Sequence, residues 1–391
     1  MTSQSSNCPV CDASNLQSFL HRKLVPTQQN LLFKSYYAAT QHQRGELTLA
    51  ACHQCGFIFN RSFDENLLKY GENYDNAQNH SPYFESYLNE LAQYLIQDRQ
   101  VQNSQILEVG CGQGHFLRKL VELESANNYG YGCDPSYITQ IDEHHRLKFE
   151  QRYYGTDCTH IPVDVVICRH VIEHVPNPVD LLKSIRAALV NSPHARLFFE
   201  TPCVEWILEH QVVWDFFYEH CSYFTAESLT TTFEQAGFEV TDVKHIFGKQ
   251  YLWLEARISQ QPVDITYQPG QIVNLADKFT KSERQIIHKL STQIAKLQER
   301  GRVALWGAGA KGVTLANILD PLQQSIAAII DLNPQKHGGY IPGTGHPIIN
   351  YLDLDRYEIK SAILMNPNYY QESLYLLQKE KLDLLLIDYE Q

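Results

Sequence analysis

The amino-acid sequence predicts an α/β protein with two open, mostly parallel sheets, the second smaller than the first, behind a cysteine-rich N-terminal segment. Strand-like and helix-like stretches alternate from about residue 80 to 258 and again after Gly301, which is the pattern of repeated βα units. In both regions a glycine-rich loop follows a buried strand and begins a helix. The chain has 391 residues. At ~150 residues per domain, that length predicts two or three domains.

Changes in pattern divide the chain into four segments. Residues 1–68 contain two cysteine pairs, and residues 69–258 contain the first α/β region. The first region closes with the strands FEVTDVKHI and YLWLEARI around a short glycine turn, which predicts an antiparallel hairpin. Residues 259–300 begin as a Pro- and Gln-rich linker and continue as a long amphipathic helix. Residues 301–391 contain the second, smaller α/β region.

The composition narrows the classes of partner. Lys and Arg number 32 against 44 Asp and Glu, a formal net charge of −12, which disfavours general nucleic-acid binding. No stretch approaches the ~18 apolar residues of a membrane span, and the N-terminus lacks the pattern of a secretory signal. We therefore expect a cytoplasmic monomer or homodimer that binds a small-molecule substrate, and no nucleic acid or membrane.

Two C-x-x-C pairs, Cys8 with Cys11 and Cys52 with Cys55, predict a structural zinc site. Four thiolates would fill the tetrahedral shell and leave no open position for catalysis. The intervening residues 12–51 exceed the ~15–20 of a compact zinc ribbon, so they must form strands of their own. The alternatives are four buried cysteines without a metal, and a nucleic-acid zinc finger, which the acidic composition disfavours.

The first glycine loop lies in ILEVGCGQG and has the pattern E-x-G-x-G-x-G, with Glu108, Gly110, Gly112 and Gly114 at its fixed positions. Its glycines let the backbone turn sharply and approach a ligand. Asp134 ends the next strand, where a carboxylate can accept from both hydroxyls of a ribose. These residues resemble the first two motifs of class I S-adenosylmethionine-dependent methyltransferases. The resemblance implies a Rossmann-like domain that binds S-adenosylmethionine through them, the alternative being a structural turn in another α/β domain.

Two polar clusters follow later strands, at the edge where open α/β sheets bind ligands. The first, residues 172–178, follows the fourth strand and contains His174. The second, residues 216–224, lies between the fifth strand and the next helix. His170 precedes the first cluster and could flank the cofactor, although a polar residue at a strand end is as often structural. We expect the acceptor of the methyl group to lie between the two sheets.

The second cluster contains groups suited to methylating carbon. Oxygen and nitrogen acceptors are already electron-rich, whereas a carbon must first lose a proton, which is feasible when an adjacent ketone holds the charge as an enolate. His220 suits the base, because the pKa of histidine is ~6.5. Glu219 could adjust the electrostatics beside it, and Tyr218 could donate a hydrogen bond to the oxygen.

The order of segments resembles the sugar C-methyltransferases that act on nucleotide-linked 4-keto-6-deoxyhexoses. Members of that family have a four-cysteine zinc domain, a methyltransferase core and a C-terminal Rossmann-like domain. The resemblance implies methylation at C3, with His220 as the base and Glu219 beside it. It also implies that His174 reaches the substrate from the other loop, and that Tyr74, in the stretch NYDN, could close over the pocket.

One position departs from the family pattern. The family has a tyrosine three residues before the base histidine, where this chain has Phe217, and Tyr218 follows one residue later. The role of Tyr218 and the identity of the sugar therefore stay open. Core packing around a buried histidine is the other interpretation of this aromatic run, and an O- or N-methyltransferase of a small natural-product acceptor is an alternative function.

The second glycine loop, GAGAKG, contains Gly307, Gly309, Lys311 and Gly312, and Asp331 ends the following strand. Backbone N–H groups at a helix N-terminus, with Lys311 adding charge, would bind phosphate. Alone, the motif suggests an NAD-type oxidoreductase, but the domain is too short for the second half of a dinucleotide fold. The family resemblance implies instead that the loop holds the nucleotide diphosphate of the substrate. A fold that merely covers the active site is a further alternative.

Overall fold

A computed structural model describes residues 6–68, 80–138 and 145–388. Tyr74 lies outside these residues, so the expectation that it closes over the pocket stays a prediction. The described residues form three sheets, of four, seven and five strands. Across the same residues, no helix combines the length and the apolar character that a membrane span requires.

The N-terminal sheet is antiparallel and contains β1 (Leu16–Pro26), β2 (Arg44–Cys52) and β3 (Ile58–Asn60), with the short helix α1 (Tyr36–Thr40) before β2. The cysteine pairs are therefore separated by structured chain, as predicted. The fourth strand comes from the methyltransferase region, because Ser222–Tyr223 pairs antiparallel with β3. This late strand joins the N-terminal domain directly to the polar cluster that contains His220.

The central sheet contains seven strands, and five helices accompany it. The strands, together with β9 of the N-terminal sheet, are β4 (Gln105–Val109), β5 (Tyr129–Cys133), β6 (Leu147–Glu150), β7 (Val165–Arg169), β8 (Arg196–Pro202), β9 (Ser222–Tyr223), β10 (Phe238–Ile246) and β11 (Tyr251–Ile258). The helices are α2 (Pro82–Gln93), α3 (His115–Val121), α4 (Pro178–Ala188), α5 (Val204–Glu209) and α6 (Ala226–Gln235). A 3-10 turn at Ile172–His174 carries the first polar cluster.

The strand order is β10-β11-β8-β7-β4-β5-β6, and β11 is antiparallel to both of its neighbours. The other pairs in this sheet are parallel, so the predicted terminal hairpin is confirmed. This order is the Rossmann-like fold of class I methyltransferases. Because β4, β7 and β8 are central and parallel, both of their faces are covered and their residues are mostly buried.

The predicted long helix is α7 (Ile272–Gln298), which links the two α/β domains. Its apolar face packs on the N-terminal and methyltransferase domains, where Phe279 contacts Phe19 of the first and Phe216 of the second with ring centroids 6.3 and 5.2 Å away. The Thr280 hydroxyl donates to the Phe19 carbonyl at 2.7 Å. The helix therefore holds β1 against the chain segment that precedes His220.

The C-terminal domain is a parallel sheet of order β14-β13-β12-β15-β16. Its elements are β12 (Arg302–Trp306), α8 (Ala310–Leu319), β13 (Ala328–Ile330), β14 (Ile348–Ile349), β15 (Ile359–Leu364), α9 (Tyr370–Lys379) and β16 (Leu385–Asp388). The second glycine loop connects β12 to α8, as the sequence predicts. It therefore lies at the carboxyl edge of this sheet, where ligands bind in open α/β folds.

Candidate active site

The two α/β domains face each other across one cleft of about 270 Å³. From the methyltransferase domain it is lined by both polar clusters, including His170, Glu173, His174, Phe217, Glu219 and His220. From the C-terminal domain it is lined by the second glycine loop and its surroundings, including Gly307, Gly309, Lys311, Gly312, Asp331 and Lys336. The structure therefore brings together two predicted sites that are far apart in the sequence.

His174 and His220 form a perpendicular ring pair with centroids 4.7 Å apart. Phe217 covers His220 at 4.2 Å, and ligand atoms of Glu173, His174 and His220 lie within 4.8 Å of one another. Burial, together with positive charge nearby, lowers the pKa of His220 well below its ordinary value. Burial also lowers the pKa of His174, although the Glu173 carboxylate opposes this. At neutral pH His220 is therefore uncharged and can accept a proton.

The N-terminal domain fixes the two side chains that directly precede this base. Glu219 is fully buried, and its Oε2 accepts from the backbone N–H of Gln29 at 2.7 Å. The Tyr218 hydroxyl accepts from the Asp64 N–H at 2.8 Å and donates to the Asp64 carbonyl at 3.2 Å. Glu219 lines the cleft, but the structure does not place Tyr218 among the lining residues. The geometry therefore gives Tyr218 a role in holding the loop and does not favour the predicted bond to an enolate.

Arg22 provides a second connection to the same loop. Its guanidinium donates to the carbonyls of Val213 and Phe216 at 2.7 and 3.0 Å and pairs with Glu283 of α7 at 2.8 Å. The Cys221 carbonyl accepts from an N–H of the N-terminal domain at 2.9 Å, next to the β3–β9 pairing. The loop that carries His220 is thus bonded to the N-terminal domain on both sides of the histidine.

A buried charge network lies beside the histidine pair. His170 Nδ1 lies 3.2 Å from Glu173 Oε1, and its Nε2 lies 3.0 Å from Glu200 Oε1. Burial alone would lower the pKa of His170, but the two carboxylates outweigh burial and raise it to about 9. Arg169 at 2.6 Å and the Tyr87 hydroxyl at 2.8 Å hold Glu200. Burial would raise the pKa of Glu200, but the charges and hydrogen bonds of Arg169 and His170 outweigh it and lower this pKa to about 2.

His170 is therefore an imidazolium at neutral pH, and its backbone φ of 54° is unusual for a residue other than glycine. It was predicted to flank the cofactor, and the structure places it in the acceptor cleft; its role toward the cofactor stays a prediction. Sequence reasoning missed Glu173, Glu200 and Tyr87. An acid at the carboxyl end of the buried strand RLFFE was the one signal that pointed to Glu200.

The first glycine loop forms the turn that the sequence predicts. Gly110, Gly112 and Gly114 all have positive φ, and a Cβ on Gly112 would meet no atom within 4 Å. The Gly112 N–H donates to Asp134 Oδ2 at 2.8 Å. Open space beside a backbone turn and a carboxylate at the strand end fit the methionine and ribose parts of S-adenosylmethionine.

Glu108 lies beneath this loop. Its carboxylate is buried and accepts from the Leu117 N–H, in the first turn of α3, at 3.1 Å. Burial raises the pKa of Glu108 to about 8, against the charge of nearby Arg169. The structure thus gives Glu108 a position that orders the loop and helix, and its predicted contact with the cofactor stays a prediction.

The four predicted zinc ligands converge. Cys8 and Cys55 have sulfur atoms 3.6 Å apart, those of Cys11 and Cys52 are 3.5 Å apart, and all four sulfurs lie within 4.8 Å of one another. Tetrahedral zinc with Zn–S bonds of ~2.3 Å requires S–S separations of ~3.8 Å. The donor set therefore fits a structural zinc ion.

The second glycine loop is tightly built. A Cβ on Gly312 would lie 1.9 Å from the Gly307 carbonyl oxygen, so only glycine allows this approach of α8 to the loop. Asp331 Oδ2 accepts from the Ala308 N–H at 2.7 Å, so this carboxylate holds the loop. Lys311 forms an ion pair with Asp215 of the methyltransferase domain at 2.8 Å. Lys311 was predicted to add positive charge for binding phosphate, but Asp215 largely neutralises that charge.

Two family models match separate parts of the chain. Residues 79–243 match the model described as a methyltransferase domain. Residues 271–381 match the model described as a C-methyltransferase C-terminal domain. Together they cover the central sheet up to the first part of β10, then α7 and most of the C-terminal sheet.

Two curated proteins are similar to parts of this chain. The C-methyltransferase NovU of Streptomyces niveus is 26% identical over 200 residues, which are 47% of this chain and 46% of NovU. A tRNA U34 carboxymethyltransferase of Nautilia profundicola is 28% identical over 167 residues, which are 40% of this chain and 53% of that protein. The chain thus spans about half the length of the curated relatives it matches.

Solved methyltransferase structures align with just under half of the chain. The riboflavin-analogue dimethyltransferase RosA of Streptomyces davawensis aligns at 21% identity and a TM-score of 0.34, over 45% of this chain and 57% of RosA. The 1,6-didemethyltoxoflavin-N1-methyltransferase of Burkholderia thailandensis, solved with S-adenosylhomocysteine, aligns at 14% identity and a TM-score of 0.35, over 46% of this chain and 83% of that chain. At these scores, the fold assignment depends on the strand order. The chain therefore contains a methyltransferase domain of the class I fold, followed by a domain of the type found at the C-terminus of C-methyltransferases.

Proposed function

We propose that the protein is an S-adenosylmethionine-dependent C-methyltransferase that methylates the carbon next to a ketone. The proposed substrate is a nucleotide-linked 4-keto-6-deoxyhexose, methylated at C3. The observation that carries the proposal is one cleft that is lined both by an uncharged, partly buried His220 and by a glycine loop of the phosphate-binding type. The C-terminal match to C-methyltransferases supports the same assignment.

In the proposed reaction, His220 removes the proton from C3, and the C–H electron pair moves into an enolate on the neighbouring ketone. The lowered pKa of His220 keeps the ring in its base form, and the cleft walls limit access of water to the enolate. S-adenosylmethionine supplies an electrophilic methyl group, which the enolate carbon accepts as the carbon–sulfur bond breaks. The proton on His220 then passes to solvent and restores the base.

The charge on the enolate oxygen needs stabilisation by groups that are already in place. His170 carries a fixed positive charge on this wall of the cleft, since Glu173 and Glu200 hold it protonated. We propose that the charges of His170 and Arg169 offset those of Glu173 and Glu200, so that this wall of the cleft does not repel the enolate. His174 contacts the base ring and keeps it from rotating away from the acceptor carbon.

We propose that zinc acts through the loop that carries the base. The zinc site orders the N-terminal domain, and that domain bonds to the loop through Arg22, Gln29 and Asp64. Loss of zinc would therefore displace His220 by loosening the contacts that fix it. This role needs no open coordination position on the metal, in agreement with a shell of four cysteines.

The test is to find which atom receives the methyl group. Protein, S-adenosylmethionine labelled with ¹³C in the methyl group, and a panel of nucleotide-linked 4-keto-6-deoxyhexoses would be incubated and the products examined by NMR. We expect the labelled methyl carbon to couple to a ring carbon, and His220→Asn to form the product ~10²–10⁴-fold more slowly at matched enzyme concentration. A methyl group on oxygen or nitrogen would contradict the proposal and support the alternative methyltransferase classes.

A further inference from the structure

The glycine-loop end of the cleft contains a buried ammonium group that sequence analysis did not single out. Lys336 is only 8% exposed and lines the cleft. Its Nζ donates to the Ala308 carbonyl, an atom of the glycine loop, at 3.3 Å. Within residues 6–68, 80–138 and 145–388, no carboxylate oxygen lies within 4.0 Å of this ammonium group. By contrast, the ammonium group of Lys311 lies 2.8 Å from the Asp215 carboxylate. Two of its three donors are therefore available to a ligand in the cleft.

Burial removes the water that would stabilise an ammonium group, so a buried ammonium group without a carboxylate beside it is unfavourable. An anion next to Lys336 would offset that cost. The start of α8 favours the same ligand, because its N-cap residue Gly309 offers no side chain to the first N–H groups of the ten-residue helix. The ammonium group and the helix start thus attract an anion to one place.

The position of Lys336 is fixed by the carboxylate that fixes the glycine loop. Asp331 accepts from the Ala308 N–H through one oxygen and from the Asn333 N–H through the other, at 2.7 and 2.8 Å. The Asn333 side chain then caps the turn that ends in Lys336, accepting from the Gln335 N–H at 2.9 Å. Loop and ammonium group are therefore held in one rigid unit, as a preorganised anion site requires.

We infer that Lys336, and not Lys311, is the charged residue that binds the phosphate groups of the acceptor. Lys311 is already paired with Asp215, so the two contribute little net charge to the cleft. Its position between the domains instead serves to hold the methyltransferase domain against α8. This inference rests on the proposed function for the identity of the ligand, but the anion site can be measured without any methyl transfer.

The experiment is isothermal titration calorimetry with inorganic pyrophosphate on the full chain. We expect Lys336→Met to weaken pyrophosphate binding about 10- to 100-fold, the range for losing a hydrogen bond from a charged donor. Lys336→Arg would retain most of the affinity because it retains the charge. Lys281→Met, at an exposed lysine of α7, is the matched control for the change in net charge and should bind as wild type does.

The neutral double variant Lys311→Met with Asp215→Asn tests the other lysine. We expect it to lose less affinity than Lys336→Met, because it removes a pair of opposite charges together. Equal affinity in Lys336→Met and wild type, or a larger loss in the double variant, would overturn the inference. Should Lys336→Met not fold, Lys336→Gln would take its place, with the same expected loss and the same contradicting results.

The outcomes separate this inference from the proposed function. If wild type binds no pyrophosphate yet methylates carbon on a keto sugar without phosphate, the anion site is wrong and the reaction stands. If pyrophosphate binding depends on Lys336 but no carbon is methylated in any nucleotide-linked substrate, the anion site stands and the proposed reaction fails.

Discussion

The charge on His170 predicts how the stability of the folded protein depends on pH. Its carboxylate partners raise the pKa of His170 from an ordinary 6.5 to about 9 in the folded protein. A raised pKa means that the folded state binds the proton more tightly, so the stabilisation is fully present below pH 6.5 and is lost as pH rises through 9. The shift corresponds to about 3 kcal/mol at most, at 1.36 kcal/mol for each pKa unit.

The perturbation is His170→Gln, which keeps a hydrogen-bond donor but cannot be protonated. The assay is urea denaturation of wild type and variant at about pH 6 and about pH 10. Groups that titrate in both proteins contribute equally to the free energy of unfolding, so they cancel in the difference between the two proteins. We expect the variant to be less stable at the lower pH, with the difference shrinking by up to about 3 kcal/mol at the higher pH.

The matched control is His288→Gln, at an exposed histidine on α7, for which we expect no change in this difference with pH. A difference for His170→Gln that stays constant with pH, or that grows as pH rises, would refute the reasoning. Either result would mean that His170 is not held as a cation between the two carboxylates.

Four further predictions concern His220, the zinc site and Tyr218. Replacing His220 by Asn should lower kcat by ~10²–10⁴-fold with donor affinity nearly intact, as measured by steady-state kinetics and calorimetry. In wild type, the acid limb of kcat/KM should lie below pH 6.5, because burial lowers the pKa of this histidine. Removing zinc with a chelator should reduce turnover more than donor affinity, with recovery on adding zinc back; equal losses would contradict the structural role. Tyr218→Phe should cost ~1–3 kcal/mol in urea unfolding by orphaning the Asp64 N–H, whereas Tyr37→Phe, 75% exposed, should not.

Sequence patterns predicted the parts of the molecule that depend on neighbouring residues. The glycine loops, the cysteine pairs, the final hairpin and α7 are defined within a few turns of chain, and the structure contains all of them. Open α/β sheets bind ligands at the carboxyl edge of their strands, and this rule predicted that His174 and His220 lie near each other. Their ring centroids are 4.7 Å apart in the structure.

Long-range pairing was not predictable from one sequence. Nothing near Lys311 indicates that Asp215 neutralises it, and nothing near Tyr218 indicates that its hydroxyl bonds to Asp64. Both contacts depend on how separately folded segments pack against each other. The charge on Lys336 was overlooked for the same reason, because a lysine in a turn is normally exposed and its burial appears only in the tertiary structure.

Hydrogen exchange with solvent tests whether His220 removes the proton from the acceptor carbon. The nucleotide-linked keto sugar would be incubated with the protein and S-adenosylhomocysteine in D₂O, and NMR would follow the hydrogen on the carbon beside the ketone. We expect deuterium to replace this hydrogen far faster with wild type than with His220→Asn. Methyl transfer in wild type without any dependence of exchange on His220 would contradict it.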